Sequence, residues 1–337
     1  MKKLTVLLLT VLLLASCRSG TETLLPSVSG KAGEVVVAMD RENWEGALGN
    51  QARELLAGDC PYLVMQEPMF ALVNISPTGF PDMFKIHRNI VFFDVNPQLD
   101  TTGVFYRYNQ WARPQIVVQV CAYDAEGASE LLRQQGSVIV SAIEQAERDR
   151  VIGNTMLYEE GDIAKAISEI FPGTLHFPVG YKLRKATENF IWVANDKQYV
   201  YQDVLIYRYP ADKEHPFSSE NIIRHRNEIM QENVPGMFEN TYMTTSDFFI
   251  PQIEYLRYRG RDFVQTRGMW EVKNDYMGGP FVSHSFYSPD GKDIIVVEAF
   301  VYAPRYNKRQ YLRQVESLLY TWAWNGSGSE ADEMAEK

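Results

Sequence analysis

The stretch IEYLRYRGRDF, residues 253–263, concentrates the side chains best suited to chemistry in an otherwise acidic chain. Read as one strand, its period of two puts Arg257, Arg259 and Arg261 on the same face, with Tyr255 before them and Phe263 after. A guanidinium presents a planar fork that matches carboxylate and phosphate. A stripe of three, with Arg267 close behind, would therefore hold an anionic glycan, a lipid headgroup or an acidic partner. The plainer reading is a solvated or salt-bridged strand face, because 43 acidic side chains stand against 33 basic ones. Arg305, Lys308, Arg309 and Arg313 continue the basic character towards the C-terminus.

Catalytic signatures are missing. His87, His176, His215, His225 and His284 are scattered, with no H-E-x-x-H pair to set two metal ligands a helical turn apart, and no metal is expected. His284 lies in an alternating segment and reads as a packed or surface histidine. No G-x-S-x-G offers a serine nucleophile at a strand-to-helix turn. Gly278-Gly279-Pro280 reads as a turn into a strand and not as a phosphate cradle, and no cofactor is called for. Glu159, Glu160 and Asp162 precede a helix, where they complement its N-terminal dipole. A glycosidase pair would be set by a separation in space that spacing along the chain does not reveal.

The cysteines say more about place than about reaction. Lys2 and Lys3, an apolar run from Leu4 to Leu14, and Leu14-Ala15-Ser16-Cys17 follow the order of an export signal. The run is shorter than the ~20 apolar residues a spanning helix needs. The four residues ending at Cys17 resemble a lipobox, with residues 1–16 cleaved and the Cys17 thiol acylated, so that palmitate-like chains hold the protein on a membrane. Arg18 and Ser19 follow without an aspartate, which favours the outer membrane, facing the periplasm, and leaves surface display open. Cys60 and Cys121 remain. In an oxidising compartment they can pair, closing a loop worth ~4 kcal/mol, or stay as two buried thiols.

Removing residues 1–16 leaves about 320 residues, enough for one large domain or two of ordinary size. The net charge of −10 becomes two units more negative without Lys2 and Lys3, which opposes nonspecific nucleic-acid binding. Apolar content of 45% and aromatic content of 12% provide for a sizeable core.

The elements that must position these residues can be read in order. Residues 17–32 form a Ser/Gly/Thr-rich tether. A β-branched run from Glu34 to Met39 opens the body, followed by a helix ending near Gly58, strands at 69–75, 89–95 and 115–121, and a long helix from about Ala125 to Arg150 that Gly136 would kink. A helix at 162–171 comes next, then strands at 174–183, 189–194 and 199–209, and a helix capped by Ser218 or Ser219. Beyond Gly236 alternation dominates, and SPDGK at 288–292 joins 281–287 to 293–302 as a hairpin. A helix at 308–322 and an acidic, disordered tail at 326–337 close the chain. The expected class is α+β: two packed α/β subdomains, 33–152 and 153–325, with antiparallel hairpins in the C-terminal half. The repeated element order and the triplet His-Arg-Asn at 87–89 and 225–227 admit either a diverged duplication or coincidence.

IHRNIVFFDVN, QENVPGMFENTYMTT, RGMWEVKNDYMGGPFVSHSF and EAFVYAPRYNKRQYLRQVE resemble the stretches that mark domain of unknown function 4837, a family of Bacteroidetes-type outer-membrane lipoproteins. The resemblance runs over the whole mature chain and implies an extracytoplasmic lipoprotein, with no activity and no site residues to carry over. The expected role is noncatalytic binding of an envelope protein or an anionic glycan or lipid, the membrane being reached through Cys17. The alternative is an envelope hydrolase acting on glycan or peptide through carboxylates.

Overall fold

The computed structural model describes residues 24–63 and 65–326. The signal segment, Cys17 and residues 327–337 of the tail lie outside the described residues. In the first half, β1 (Glu34–Ala38), α1 (Arg41–Glu45), α2 (Ala47–Leu56), β2 (Ala71–Ile75), α3 (Asp82–Lys85), β3 (Asn89–Val95), β4 (Gly103–Tyr108), β5 (Ile116–Ala122) and α4 (Ala125–Leu157) follow in order. The strands form one sheet, β2-β1-β3-β5-β4, in which β1, β2, β3 and β5 run parallel and β4 is antiparallel. Its central strands are nearly continuous runs of buried Val, Ile and Phe because both faces are covered, α2 and α4 packing on one of them. Asp124 caps α4 by accepting from the Gly127 amide at 2.8 Å.

Gly136 does not mark a break in this 33-residue helix. A Cβ there would lie 2.8 Å from Leu55 Cδ1, so the glycine lets α2 and α4 approach closely. The tether is shorter than expected. From Pro26 onwards the chain is tied to the body, with Val28 donating to the Arg113 carbonyl at 3.3 Å and Ser29 to the Ile86 carbonyl at 2.8 Å.

In the second half come α5 (Gly161–Ile170), β6 (Gly173–Thr174), β7 (Lys182–Ala186), β8 (Phe190–Lys197), β9 (Val200–Pro210), α6 (Ser219–Asn233), β10 (Met243–Thr245), β11 (Gln252–Tyr258), β12 (Arg261–Val272), β13 (Gly278–Tyr287), β14 (Asp293–Tyr302), α7 (Arg309–Leu319) and β15 (Ala323–Trp324). Eight of the strands make an antiparallel sheet, β10-β12-β13-β14-β9-β8-β7, with β11 on the free side of β12. The SPDGK hairpin joins β13 to β14 as expected, with Gly291 at φ +70° in its turn. Strand 174–183 does not form as one piece: it is split between β6 and β7 around Pro178-Val179-Gly180, where Gly180 has φ +105°. A mainly parallel sheet in one half and an antiparallel sheet in the other give the halves different topologies. One His-Arg-Asn triplet meets the start of β3 and the other lies inside α6.

The large sheet is covered on both sides. Leu205, Tyr207, Trp270, Val296 and Phe300 face α6, which contributes Met230. Phe263, Val282, Val297 and Ile206 face α7, which contributes Leu312, Val315, Leu318 and Leu319. Truncating any of these leucines to alanine would cost ~2–5 kcal/mol. α7 is also the joint between the halves. Arg313 pairs with Glu144 of α4 at 2.6 Å and donates to the Met69 carbonyl at 2.9 Å. The Glu67 carboxylate accepts from the amides of Lys308 and Arg309 at 2.6 and 2.9 Å, placing a negative charge on the first turn of the helix. The boundary expected at 152/153 therefore falls within α4, which continues to Leu157.

Candidate functional site

The arginine stripe is not one strand. Arg259 and Gly260 have φ +46° and +78° and form a two-residue turn between β11 and β12. The alternation therefore restarts in the opposite direction after Gly260, and the four arginines part company. Arg257 lies opposite Asp262 on the α6 side of the sheet, Nε to Oδ1 3.6 Å, with both side chains exposed. Arg259 occupies the turn and approaches Asp149 of α4 at 3.8 Å. Arg261 and Arg267 point the other way, towards α7.

Arg261 donates to the carbonyls of Trp322 (2.7 Å) and Leu319 (3.4 Å), so its charge sits at the C-terminal end of α7, where the dipole is negative. Burial pulls its guanidinium down to about 10. Arg267 makes a two-pronged contact with Glu316 of α7, with Nη1 to Oε2 at 3.2 Å. Burial lowers the Arg267 pKa, and the Glu316 carboxylate more than restores it, so the group stays firmly charged.

Between these two arginines lies His284 of β13, which is fully buried. Gln265 directly opposes it on β12 and donates Nε2 to His284 Nε2 at 3.3 Å and to the Tyr320 hydroxyl at 3.3 Å. The imidazole proton is therefore on Nδ1, which has no hydrogen-bond partner among the described residues. The ring packs 4.2 Å from Phe263 and edge-on to Tyr320 at 4.7 Å, centroid to centroid. Burial first, and then the fields of Arg261, Arg267 and Arg148, hold the His284 pKa well below 6.5, so the imidazole is neutral. Arg148 arrives from α4. Its guanidinium lies 3.8 Å from the Tyr320 ring centroid and 5.9 Å from that of Tyr258, and it donates to Gln145 at 2.7 Å.

Three guanidiniums thus act on one neutral imidazole at the junction of the halves. Among the described residues, only Arg267 of the three has a carboxylate within ion-pair distance. Arg261 Nε is buried and has no hydrogen-bond partner among the described residues. The cluster is cationic in a chain whose net charge is −10. Arg261 and Arg267 were readable from the sequence as anion-binding candidates. Arg148, Gln265 and Tyr320 were not, because each comes from a different segment and no local pattern unites them.

Several other charged groups are held by partners within the fold. Arg226 of α6 and Glu298 of β14 form a buried pair at 2.7 Å, completed by the Tyr207 and Thr245 hydroxyls. Asp203 of β9 accepts from Trp192 Nε1 at 2.8 Å, and burial and the nearby Asp196 push its carboxyl up to about 7. His87, His176 and His225 each pair with a carboxylate: Glu34, Glu159 and Asp212. No group of metal-ligating side chains converges among the described residues.

Cys60 and Cys121 stand as free thiols in the structure, the second of the two alternatives the sequence left open. The reason is topological. α2 returns the chain from the C-terminal end of β1, so Cys60 lies at the N-terminal edge of the parallel strands, whereas Cys121 closes β5 at their opposite edge. Burial pushes the Cys60 thiol up to about 11 and also raises that of Cys121.

Two open depressions mark the surface. One, of about 390 Å³, lies on the α6 side of the β11–β12–β13 edge and includes Tyr255, Arg257, Asp262 and Ser285. The other, of about 590 Å³, is lined by Pro172, Pro289, Trp324 and Asn325 and holds no titratable side chain.

Residues 28–156 match the family described as "Domain of unknown function (DUF8532)", and residues 160–321 match "Domain of unknown function (DUF4837)". The second pattern was expected over the whole mature chain; it covers the second half, and the first half carries a family pattern of its own. None of the curated proteins matches the chain. Among solved structures, the Ran-binding protein Mog1p of Saccharomyces cerevisiae is similar with 9% identity and a TM-score of 0.30, over 45% of this chain and 90% of that one. A Bacteroides thetaiotaomicron protein is similar with 12% identity and a TM-score of 0.26, over 47% of each chain. Human STARD10 is similar with 11% identity and a TM-score of 0.23, over 48% of this chain and 79% of that one. These likenesses are too distant to carry a fold or an activity across. The two family matches meet at the end of α4, and residues 160–321, from the start of α5 to the residue after Tyr320, are the part of the chain that matches domain of unknown function 4837.

Proposed function

We propose that the protein is a noncatalytic, lipid-anchored envelope protein of the outer membrane. In this reading it is held through acylated Cys17 and faces the periplasm, and it binds an anionic group of an envelope component at the junction of its halves. The observation that carries the binding role is the excess of guanidinium over carboxylate around Tyr320 and His284. Among the described residues Arg148 and Arg261 have no carboxylate of their own, and a bound phosphate or carboxylate would supply the missing charge. The Cys17 motif and the apolar segment before it support the anchor.

Membrane fractionation of Cys17→Ala tests the anchor: the variant is expected in the soluble fraction or unprocessed, and normal membrane recovery would contradict it. The binding role is tested with vesicles of phosphatidylglycerol against vesicles of phosphatidylcholine, and with inorganic phosphate. Binding to at least one anionic probe, weakened by salt and by Arg148→Gln, is expected. Equal behaviour of parent and variant towards all of them would contradict it.

A further inference from the structure

The face of the large sheet opposite His284 carries a separate feature. The cleft of about 390 Å³ at the β11–β12–β13 edge lies within the ~300–1,000 Å³ range of small-molecule sites. Its walls are aromatic. Tyr255 is 74% exposed and Tyr287 46%, and Phe217, in the segment before α6, stands edge-on to Tyr287 with ring centroids 5.1 Å apart. Rings held this way on a sheet present an apolar surface with a polar tip.

The floor is formed by Val264 and Ser285, directly opposed across β12 and β13. Ser285 is fully buried, yet its hydroxyl has no hydrogen-bond partner among the described residues. Leaving a buried hydroxyl unmet costs ~1–3 kcal/mol, a cost that a ligand hydroxyl would remove once the Ser285 side chain turns towards the cleft. Arg257 and Asp262 stand at the rim, cross-strand neighbours with Nε to Oδ1 at 3.6 Å and each about three-quarters exposed. Together they are neutral. They offer forked donors beside a carboxylate acceptor and no net attraction for an ion.

Aromatic walls, an unmet hydroxyl below and a charge-balanced polar rim select a ligand that is flat and apolar on one side, dense in hydroxyls at its edge, and uncharged. We propose that this cleft is a binding site for a neutral saccharide. The C–H face of a sugar ring stacks on Tyr255 and Tyr287, and its hydroxyls bond to Ser285, Arg257 and Asp262. A purely aliphatic ligand would leave Ser285 unmet and offer nothing to the Arg257–Asp262 pair, and an anion would meet Asp262. The site shares none of the arginines of the Arg148 cluster, touching it only through Phe263, and stands apart from the anion-binding reading.

The test is calorimetric or saturation-transfer binding of the full chain to maltotriose, cellotriose, xylotriose and chitotriose, with trigalacturonate as the charged control. At least one neutral trisaccharide is expected to bind at millimolar concentration. Tyr255→Ala, on an exposed side chain, should weaken that binding about tenfold, and Arg148→Gln should leave it unchanged. Ser285→Ala should weaken it several-fold, with its fold checked by circular dichroism. Failure of all four neutral sugars to bind, binding indifferent to Tyr255→Ala, or tighter binding of trigalacturonate than of any neutral sugar would each overturn the proposal.

Discussion

The Arg148 guanidinium sits 3.8 Å from the centroid of the Tyr320 ring, so the long helix of the first half is bonded, face to cation, to the residue that ends the last helix of the second. Tyr320 in turn faces His284 edge-on and receives Gln265 at its hydroxyl. A surface-accessible cation and a buried imidazole are thereby linked through one ring. α7 makes this geometry rigid, being clamped at its first turn by Glu67 and at its end by Arg261.

The arginines of the hairpin should separate sharply in stability measurements. Arg267→Met leaves the buried Glu316 without its partner and is expected to cost ~3–5 kcal/mol in urea unfolding. Arg257→Met removes an exposed pair and should change stability by less than ~1 kcal/mol. Equal costs for the two would contradict the inward and outward assignment.

Asp203 should make the protein less stable as pH rises. Its folded pKa of about 7 exceeds the unfolded value near 4, so across that window the folded chain keeps a proton that the unfolded chain has lost. Stability attributable to this group therefore falls from pH 4 to 7 and stays low above it. Asp203→Asn is expected to be more stable than the parent at pH 8, with the gain vanishing near pH 4. A gain that is the same at both pH values would contradict the assignment.

His284 works in the opposite direction. Its folded pKa lies well below 6.5, so beneath pH 6.5 the unfolded chain binds a proton that the folded chain refuses. Its contribution is complete above pH 6.5 and lost as pH falls. His284→Gln should flatten the slope of stability between pH 6.5 and 5, and an unchanged slope would count against the buried neutral imidazole.

The two thiols should be slow to react in the native protein, because both are raised by burial and only the thiolate attacks. After unfolding without reductant, both Cys60 and Cys121 are expected to label. A protein in which neither labels would restore the disulfide.

Much of the framework was legible because the relevant patterns are local. Val35 to Val37 announce a strand buried on both faces, Ser288 to Lys292 a hairpin, and the apolar face of α7 its packing. The β11–β12 turn was written in the sequence as Arg259-Gly260, but the alternation running through RYRGRDF masks it, since both arms of a hairpin keep the period of two. The edge strand β4 was missed because its GVFYRY is half-exposed and gives no buried period. The cluster around His284 was out of reach for a different reason. It is built from α4, β12, β13 and the end of α7, whose proximity is set by how the halves dock on α7.

The central claim, that Arg148 and its neighbours hold an anion, can be read at the site itself. Selectively labelled histidine lets the His284 ring resonances be followed while inorganic phosphate is titrated into the full chain at low salt. An anion that neutralises part of the arginine field is expected to move those resonances saturably, while those of exposed His215 stay put, and the response should disappear in Arg148→Gln. Resonances of His284 that do not move with phosphate, or that move equally in the variant, would contradict the account.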